Sequence, residues 1–345
     1  MKKICVIGHF GFGRNLLNGQ TIKTKMVTCE LERKYGVSQI KKIDTHGGVK
    51  SIPKIIVQML GAFTMCDNII IFPAHNGIKL FVPLCSMLNM IFHRKLHYIV
   101  IGGWLPTFLQ DRTFLRKQLR RFYKIYVETN TVRTGLEKLN LENVIVMPNF
   151  KNIQIVVKEN LKFDQQKPYK LCVFSRIMKE KGIEDAINSV IDINKQLGEI
   201  VYTLDIYGQV ETEQQEWFEA LQKSFPEYIN YKGLVAYDES VYILKEYFAL
   251  LFPTKFYTEG IPGTILDAYA AGLPVISSKW ESFEDLIDDG ITGIGYEFDN
   301  ETELVNTLKL VAENPEMILS KKEKCIAKAK EFQASEVVQK LFDNL

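Results

Sequence analysis

Apolar runs of strand length alternate with helix-like stretches along the whole chain of 345 residues. This alternation is typical of α/β proteins with parallel sheets, and a chain of this length has enough residues for two domains. We therefore predict two Rossmann-like domains whose parallel sheets face a central cleft. The predicted strands are residues 3–8, 37–43, 68–72, 97–102, 124–128, 143–147, 171–175, 201–208, 228–233, 249–253, 273–277 and 292–296.

The break between the two halves is predicted near Pro148 and Asn149, ahead of a polar stretch at residues 158–168. We expect an N-terminal domain at residues 1–155 and a C-terminal domain at residues 156–333. In open α/β sheets, ligands bind beyond the carboxyl ends of the strands. The loops that follow the predicted strands are therefore the places to look for functional residues.

The small net charge of +2 conceals a large difference between the halves. Residues 1–150 carry a net charge of +14, and residues 151–345 carry −12. A split of this size predicts that the first half meets an anionic surface or substrate. The densest basic segment is Arg112–Lys124, with six cations in thirteen residues. As a helix, this segment would carry an apolar stripe made of Phe114 or Leu115, Leu119 and Phe122.

Two interpretations of the basic segment are open at this point. The helix could lie on an acidic lipid surface, or its apolar stripe could be buried in the core of its own domain. The uncharged run at residues 80–92 is too short to span a bilayer and predicts a buried or interfacial helix. No signal peptide is evident, and six scattered cysteines without a CxxC pair indicate reduced thiols. We expect a cytoplasmic protein, peripheral at the inner face of the cell membrane.

A glycine-rich loop follows the first predicted strand. A dinucleotide site would require GxGxxG there and an acidic residue about 20 positions further on. Leu16 stands where the third glycine should be, and Asp44 lies 31 residues beyond Gly13. A dehydrogenase is therefore disfavoured. The loop is predicted to be a flexible Gly/Asn segment that reaches toward the cleft before a helix begins near Gln20 or Thr21.

Residues 259–272, EGIPGTILDAYAAG, place two carboxylates around a turn that opens a helix. Pro262 suits the first position of a helix, and the free N–H groups of the first turn attract phosphate. Glu259 and Asp267 could accept hydrogen bonds from hydroxyls on either side of that phosphate, as a nucleotide-sugar would offer. The alternative is that Glu259 complements the helix dipole while Asp267 faces solvent.

A second cationic loop, SRIMKEKGIEDAI, follows the predicted strand at residues 171–175. Arg176 and Lys181 would stabilise the negative charge that develops on a departing diphosphate. Taken alone, either residue could be a surface charge, but the anion-seeking helix start in the same half favours a joint role. The chain has no Asp-x-Asp pair and no His/Cys cluster with metal spacing, so no metal or other cofactor is expected.

These motifs, together with DIYGQV and DLIDDGITG, follow one another at spacings that resemble those of glycosyltransferase family 4. The family consists of retaining enzymes with the GT-B fold. The resemblance covers residues 120–300 well and the first hundred residues loosely. It implies that residues 231–235 lie near the base of the donor. It also implies that a last helix within residues 334–345 crosses back onto the first domain.

The resemblance implies a role for each matching residue. Arg176 and Lys181 would bind the diphosphate, Glu259 would contact the donor hexose, and Asp267 would bind the ribose. Asp267 stands where the family usually has glutamate, so its ribose contact is expected to be longer or bridged by water. The further residues that we expect to bind the donor are Gly13, Gly208, Gly260, Ile261, Pro262, Gly263 and Thr264.

The second departure from the family pattern is that the expected catalytic histidine is missing from its usual place. Many members carry a histidine that faces the donor sugar after the fourth or fifth strand, but residues 102–106 here are GGWLP. His75 is the remaining candidate for a catalytic role, and a structural role is its alternative. Retaining transfer can proceed without a protein nucleophile, because the leaving phosphate can guide the acceptor hydroxyl on the same face.

The resemblance and the charge distribution together predict a metal-independent, retaining hexosyltransferase. Its donor would be a nucleotide diphosphate sugar, and its expected acceptor is a glycan linked to a polyprenyl diphosphate in cell-surface polysaccharide synthesis. One alternative is a nucleotide-sugar epimerase or phosphorylase on the same fold. Another is a nucleic-acid-binding protein, but only one segment is densely basic and no nucleic-acid module is recognisable, so no nucleic acid partner is expected.

Overall fold

The computed structural model divides the chain into two compact units, Met1–Asn149 with Ala334–Leu345, and Phe150–Gln333. The division falls after Asn149 and not after residue 155, where the sequence placed it. Backbone hydrogen bonds explain the difference, since Lys151 donates to the carbonyl of Phe332 (3.2 Å) within the second unit. The structure describes residues 3–14, 19–152, 154–163, 166–236 and 238–345.

The described part of the first unit contains a six-stranded sheet in which all neighbouring strands are parallel, in the order β2-β1-β3-β4-β5-β6. Its strands are β1 (Ile4–Gly8), β2 (Ile40–Asp44), β3 (Asn68–Ile71), β4 (Lys95–Ile99), β5 (Lys124–Val127) and β6 (Val144–Val146). The helices between and beside these strands are α1 (Gly19–Tyr35), α2 (Ile52–Met65), α3 (His75–Phe92), α4 (Leu105–Leu109), α5 (Thr113–Leu119) and α6 (Asn130–Glu137).

The second unit, in the ranges that are described, has a parallel sheet of six strands in the order β12-β11-β10-β7-β8-β9. Its strands are β7 (Tyr169–Phe174), β8 (Tyr202–Tyr207), β9 (Ile229–Gly233), β10 (Ala249–Phe252), β11 (Val275–Ser278) and β12 (Gly293–Tyr296). Its helices are α7 (Ile183–Leu197), α8 (Gln215–Gln222), α9 (Ser240–Leu244), α10 (Gly263–Ala270), α11 (Glu301–Glu313), α12 (Glu316–Leu319) and α13 (Lys322–Ala329).

The predicted architecture of two parallel α/β sheets is confirmed, and every predicted strand has a counterpart. Strand β2 begins three residues later than predicted, because Val37–Gln39 form a 3-10 helix after Gly36, which has a φ of 90°, and β4 ends three residues earlier than predicted. Because the strands are parallel, the loops that follow them lie at one edge of each sheet.

The chain ends in two short helices, α14 (Ala334–Val337) and α15 (Gln339–Phe342), which belong to the first unit. The ring of Phe342 contacts Tyr35 of α1 edge to face, with 5.9 Å between the ring centroids. Lys340 donates from Nζ to the carbonyl of Val146 at 3.0 Å. These contacts attach the C-terminal segment to α1 and β6.

The basic segment after α4 differs from the lipid-bound helix that was one of its two interpretations. α5 is only seven residues long, and Leu115, Leu119 and Phe122 are buried in the core of the first unit. Phe114, by contrast, is 59% exposed. A stripe that is buried in the core cannot lie on lipid, so that interpretation of the stripe is wrong. Across the described ranges, we find no helix with the length and apolar character needed to traverse a bilayer.

Two glycines with the same backbone conformation flank α7 and provide a matched stability test. Gly182 and Gly198 both have a φ of 68°, a region that costs other residues about 1 to 2 kcal/mol. A Cβ at Gly182 would lie 1.9 Å from the carbonyl oxygen of Pro253, whereas a Cβ at Gly198 would meet no atom within 4 Å.

We expect Gly182→Ala to destabilise the protein more than Gly198→Ala, by about 1 to 3 kcal/mol, because only the first adds a steric clash to the backbone strain. Urea unfolding of the two variants measures the difference. Equal midpoints would show that the chain around Pro253 moves away at no cost.

Candidate active site

Three loops converge at the carboxyl edge of the second sheet, after β7, β8 and β10. Gly208 has a φ of 140°, and a Cβ there would lie 1.7 Å from the carbonyl oxygen of Ser175. Gly182 approaches Pro253 in the same way. Glycine is therefore required at both positions, since only backbone fits in the space between the loops.

Lys181 and Glu259 are brought together by this convergence. The distance from Lys181 Nζ to Glu259 Oε2 is 2.5 Å, and Thr254 Oγ1 donates to the same oxygen at 3.2 Å. The Lys181 ammonium also lies over the rings of Phe252 and Phe256, at 5.6 and 5.0 Å from their centroids. Glu259 is thus held by a partly buried cation, an interaction that the sequence did not reveal.

Arg176 lies on the same loop as Lys181, after β7, and pairs with Glu211, with 2.9 Å between Nη1 and Oε2. Its side chain is 54% exposed. The carbonyl of Gly208, beside it, accepts a hydrogen bond from the Tyr231 hydroxyl at 2.8 Å, and the amide of Gly208 donates to Gly233 at 2.9 Å. The segment expected near the base is therefore joined to the same edge as Arg176.

The helix that was expected to bind phosphate begins one residue later than predicted. Pro262 is the N-cap, with an extended ψ of 128°, and α10 starts at Gly263. Ile265 donates to the carbonyl of Pro262 at 3.1 Å, so its amide is not free for a ligand. Within the described residues, we find no hydrogen bond from the amides of Gly263 and Thr264, and the buried Thr264 Oγ1 has no partner. This helix start therefore presents unpaired donors to an anion.

The remaining residues that were predicted to bind the nucleotide-sugar lie in different surroundings. Gly260 is buried, and the side chain of Ile261 belongs to the core of the second unit, so a ligand could reach Ile261 only through its backbone. Gly13 belongs to the first unit and has a φ of 78° with no atom near its Cβ position. Gly13 and His75 are thus in one unit, and the other candidates are in the second.

Asp267 is buried, contrary to the alternative in which it faces solvent. It is only 3% exposed, and its two carboxylate oxygens lie 2.6 and 2.5 Å from Lys151 Nζ. Burial raises the pKa of Asp267, and Lys151 and a hydrogen bond from Ser240 offset part of that rise. Lys151 has no neighbouring motif and lies 116 residues away in sequence, so no sequence signal pointed to it.

His75 begins α3 and stacks on Trp104, with 3.8 Å between the ring centroids. Burial lowers the pKa of His75, and the charge of Lys79 adds to the shift, so the neutral imidazole is favoured. The residue lines a cavity of about 520 Å³ in the first unit, at the carboxyl ends of β1 and β3. Its other lining residues include Gln20, Thr45, Asn76, Ile52, Ile55, Leu80 and Phe81.

Asp44 has a clear structural role that does not involve a dinucleotide. Its carboxylate accepts hydrogen bonds from the amides of Phe10, Phe12 and His46 at 2.9 to 3.0 Å. Burial acts to raise the pKa of Asp44, but these backbone donors outweigh it and lower the pKa. Asp44 therefore fixes the start of the glycine-rich loop. Residues 15–18, later in that loop, lie outside the described residues.

One face of α3 carries exposed apolar side chains next to cations. Met87, Met90 and Ile91 are all more than half exposed and share a face because they are three and four positions apart. Arg121 Nη1 lies 3.6 Å from Met90 Sδ, and α5 packs against α3. We refer to Met87, Met90, Ile91 and Arg121 as the α3 patch.

A metal site would require several His, Cys, Asp or Glu side chains close together. Among the described residues, no three His, Cys, Asp or Glu side chains are grouped so that they could hold a metal ion. Independence from metal stays a prediction.

The architecture is that of the GT-B fold. HepE of Anabaena, solved in complex with UDP and glucose, superposes with a TM-score of 0.75 over 99% of both chains, at 14% identity. At this identity the likeness establishes the fold alone.

The sequence gives the family. The model for glycosyl transferases group 1 matches residues 157–332, about half of the chain, and the chain belongs to that family. It is 27% identical over 130 residues to an uncharacterized glycosyltransferase of Methanocaldococcus jannaschii, which covers 36% of this chain and 31% of that protein. It is 25% identical over 161 residues to an amylovoran biosynthesis glycosyltransferase of Erwinia amylovora, covering 46% and 38% of the two chains. The chain thus matches only about a third of the length of these relatives.

The buried pair of Lys151 and Asp267 predicts a strong dependence of stability on both partners. We expect Lys151→Met to lower the free energy of unfolding by about 3 to 5 kcal/mol, because it leaves a buried carboxylate without its cation. The double variant Lys151→Met/Asp267→Leu is expected to recover most of this loss. Chemical denaturation measures both, with Lys167→Met, at the exposed pair with Glu199, as a control that changes stability by less than about 1 kcal/mol. A Lys151→Met variant as stable as the control would contradict the prediction.

Proposed function

We propose that this group 1 glycosyl transferase is a retaining, metal-independent enzyme of family 4. It moves a hexose from a nucleotide diphosphate sugar to a lipid-linked glycan. The observation that carries the proposal is the contact between Lys181 and Glu259 at the edge where α10 presents unpaired amides. The same site then offers hydrogen-bond donors to a diphosphate. It also offers a carboxylate that can accept hydrogen bonds from sugar hydroxyls.

The diphosphate is proposed to bind between the two cationic side chains and the start of α10. Arg176 can grip two phosphate oxygens at once, and Lys181 acts as a point charge. The amides of Gly263 and Thr264, with the Thr264 hydroxyl, complete the set of donors. Because these groups are fixed before the reaction, they stabilise the charge that develops as the sugar leaves.

Glu259 is proposed to contact the hexose. Its carboxylate already accepts from Lys181 and Thr254, which fixes its orientation, and its remaining lone pairs can accept from sugar hydroxyls. Retention follows if the departing phosphate guides the acceptor hydroxyl on the same face of the sugar. No protein nucleophile is needed in that case.

Uridine is the base that we propose for the donor. The support is the fold likeness to HepE, which was solved with UDP and glucose. The segment of Tyr231 and Gly233, hydrogen-bonded to Gly208, is the proposed place for the base. Panels of UDP-, GDP- and ADP-sugars compared by thermal stabilisation test this choice, since a ligand that binds only the folded state raises its stability.

The acceptor is proposed to bind the first unit. Its excess of positive charge suits a diphosphate-linked acceptor. The cavity beside His75 has apolar walls and a few polar side chains, which suits an amphiphilic molecule. A role in polysaccharide synthesis is supported by the relative from Erwinia amylovora, which is named for amylovoran biosynthesis.

Activity should depend on both members of the ion pair formed by Lys181 and Glu259. We expect Lys181→Met to weaken UDP binding about 10- to 150-fold, since a charge-assisted hydrogen bond contributes about 1.5 to 3 kcal/mol. Glu259→Gln should keep UDP affinity within a few-fold but lose most sugar transfer. Titration calorimetry and a transfer assay measure these effects, with Lys279→Met, at the exposed pair with Asp289, as control.

Either variant with wild-type turnover would remove the site assignment. Loss of turnover on addition of a chelator would contradict independence from metal. Hydrolysis or epimerisation of the donor without any acceptor would favour the epimerase or phosphorylase alternative.

Membrane binding is proposed to use the α3 patch and the basic surface around it, not the stripe of α5. We expect the protein to sediment with vesicles that contain phosphatidylglycerol, and less so as salt rises. Ile91→Asp should weaken this binding about fivefold or more, since one charge near an anionic surface is worth about 1 kcal/mol.

Leu310→Asp on α11 is the matched control, because it also places an aspartate at an exposed apolar helix position. An equal effect of both substitutions would argue against the α3 patch. Vesicle binding that does not respond to salt would argue against the role of charge.

A further inference from the structure

An apolar stripe runs along the solvent side of α3. Leu80, Leu84, Met87 and Ile91 are spaced by four, three and four positions, so they share one face of the helix. Leu80, Met87 and Ile91 are 37, 53 and 73% exposed, and Leu84 is partly buried between them. We refer to these four residues as the α3 stripe. It shares Met87 and Ile91 with the α3 patch, whereas Met90 lies about 100° round the helix from Ile91.

The α3 stripe connects the cavity beside His75 with the α3 patch. Its N-terminal residue, Leu80, lines the cavity together with Ile52 and Ile55 of α2. Its C-terminal residue, Ile91, belongs to the α3 patch and lies roughly 16 Å further along the helix. A continuous row of apolar side chains therefore leads from the cavity to the surface that we propose to meet the membrane.

The charges beside this row suit an anionic head group at the cavity end. α2 and α3 contain no Asp or Glu, and Lys79 directly precedes the stripe. Lys79 and Arg112 both lie near the ring of Phe108, with Nζ 5.9 Å and Cζ 4.0 Å from its centroid. Phe108 in turn contacts His75 edge to face, with 5.6 Å between the ring centroids. Two cations thus lie beside the cavity, where the stripe begins.

The width of the stripe distinguishes a single chain from a protein partner. Its four residues cover only about 60° of the helix circumference. A helix that packs on another protein element presents an apolar face of about 100° or more. One edge of the stripe is limited by Arg121, whose Nη1 lies 3.6 Å from Met90 Sδ. A narrow apolar row with cations at one end fits one extended hydrocarbon chain that carries a phosphate head.

We propose that the α3 stripe binds the hydrocarbon chain of the acceptor lipid, with the diphosphate head beside Lys79 and Arg112. The chain follows α3 from the cavity toward the membrane, and the head stays at the carboxyl edge of the first sheet. The inference rests on the proposed function, since it requires an acceptor that is linked to a lipid. It adds a binding site for the chain itself, so that the enzyme holds one lipid whose tail is still partly in the bilayer.

Three soluble probes with the same head group test this site: inorganic diphosphate, dimethylallyl diphosphate and farnesyl diphosphate, with zero, one and three isoprene units. We expect farnesyl diphosphate to bind about tenfold or more tightly than dimethylallyl diphosphate, because a longer chain covers more of the stripe. Inorganic diphosphate should bind most weakly. Titration calorimetry without vesicles, below the concentration at which farnesyl diphosphate forms micelles, measures all three. UDP is present throughout, so that the proposed donor site is filled.

Met87→Asp and Met90→Asp form a matched pair, since they place the same charge at exposed methionines of one helix, on the stripe and off it. Met87 lies seven residues beyond Leu80, roughly 10 Å along the helix, so a chain of one isoprene unit does not reach it. We expect Met87→Asp to weaken farnesyl diphosphate about fivefold or more, because the chain would remove water from the new charge. Dimethylallyl diphosphate should stay within about twofold. Met90→Asp should leave both affinities nearly unchanged, and Met87→Leu should keep the wild-type preference.

Equal affinities for dimethylallyl and farnesyl diphosphate overturn the inference. So does an equal effect of Met87→Asp and Met90→Asp on farnesyl diphosphate, which would indicate unspecific apolar adsorption. A wild-type dimer that dissociates in Met87→Asp, seen by sedimentation velocity, would show that a second copy of the chain covers the stripe, and it overturns the inference as well.

The two proposals fail in different ways. Thermal stabilisation by a UDP-sugar without binding of any prenyl diphosphate supports the donor site but contradicts the lipid-linked acceptor and, with it, this inference. Binding of dimethylallyl and farnesyl diphosphate with equal affinity keeps an acceptor with a diphosphate and rejects only the α3 stripe. Binding of farnesyl diphosphate that depends on Met87, in a protein that no UDP-sugar stabilises, supports the stripe and contradicts the proposed donor.

Discussion

The candidate site depends on two close backbone contacts, one between Gly208 and Ser175 and one between Gly182 and Pro253. The carbonyl oxygens of Ser175 and Pro253 occupy the space in which Gly208 and Gly182 would otherwise carry a Cβ. This contact lets the loops after β7, β8 and β10 lie against one another at the edge of the sheet. Lys181 and Glu259, 78 residues apart in sequence, lie on the two loops that meet at Gly182 and Pro253, and they are within hydrogen-bond distance there. The electrostatics of the site therefore rest on two residues that have no side chain at all.

Much of this arrangement follows from the sequence, for a physical reason. The inner strands of a parallel sheet are buried on both faces, so they read as short apolar runs, and each predicted strand has its counterpart. Since the strands are parallel, residues that follow them share an edge, which is why Arg176 and Lys181 could be placed near Glu259 without coordinates. The sequence also shows glycines at positions 182 and 208. It does not show why glycine is needed there, because the reason is the close approach of carbonyl oxygens from other parts of the chain.

Other features could not be predicted, because they depend on contacts between side chains that are far apart in the sequence. Phe114 and Leu115 both fit a helical stripe with Leu119, and only the packing of α5 against α3 shows that Leu115 is the buried one. The pair of Lys151 and Asp267 joins residues 116 positions apart, and a single lysine after Phe150 has no periodicity to mark it. Pro262 is compatible with the N-cap and with the first helical position, so the start of α10 depends on its ψ, which the sequence does not set.

The cations at this edge of the second unit share a feature that bears on how an anion would be bound. Each has a carboxylate partner: Glu211 for Arg176, Glu259 for Lys181 and Asp267 for Lys151. The pairs differ in exposure, from 54% for Arg176 to 12% for Lys181 and 9% for Lys151. An exposed pair is worth less than about 1 kcal/mol, so Arg176 can exchange Glu211 for a phosphate at little cost. The buried pairs hold their geometry because breaking them leaves a desolvated charge. A diphosphate that arrives at the start of α10 would therefore recruit Arg176 by exchange, while Lys181 stays in place as a fixed positive charge, and fixed charges are the ones that stabilise a transition state without reorganisation.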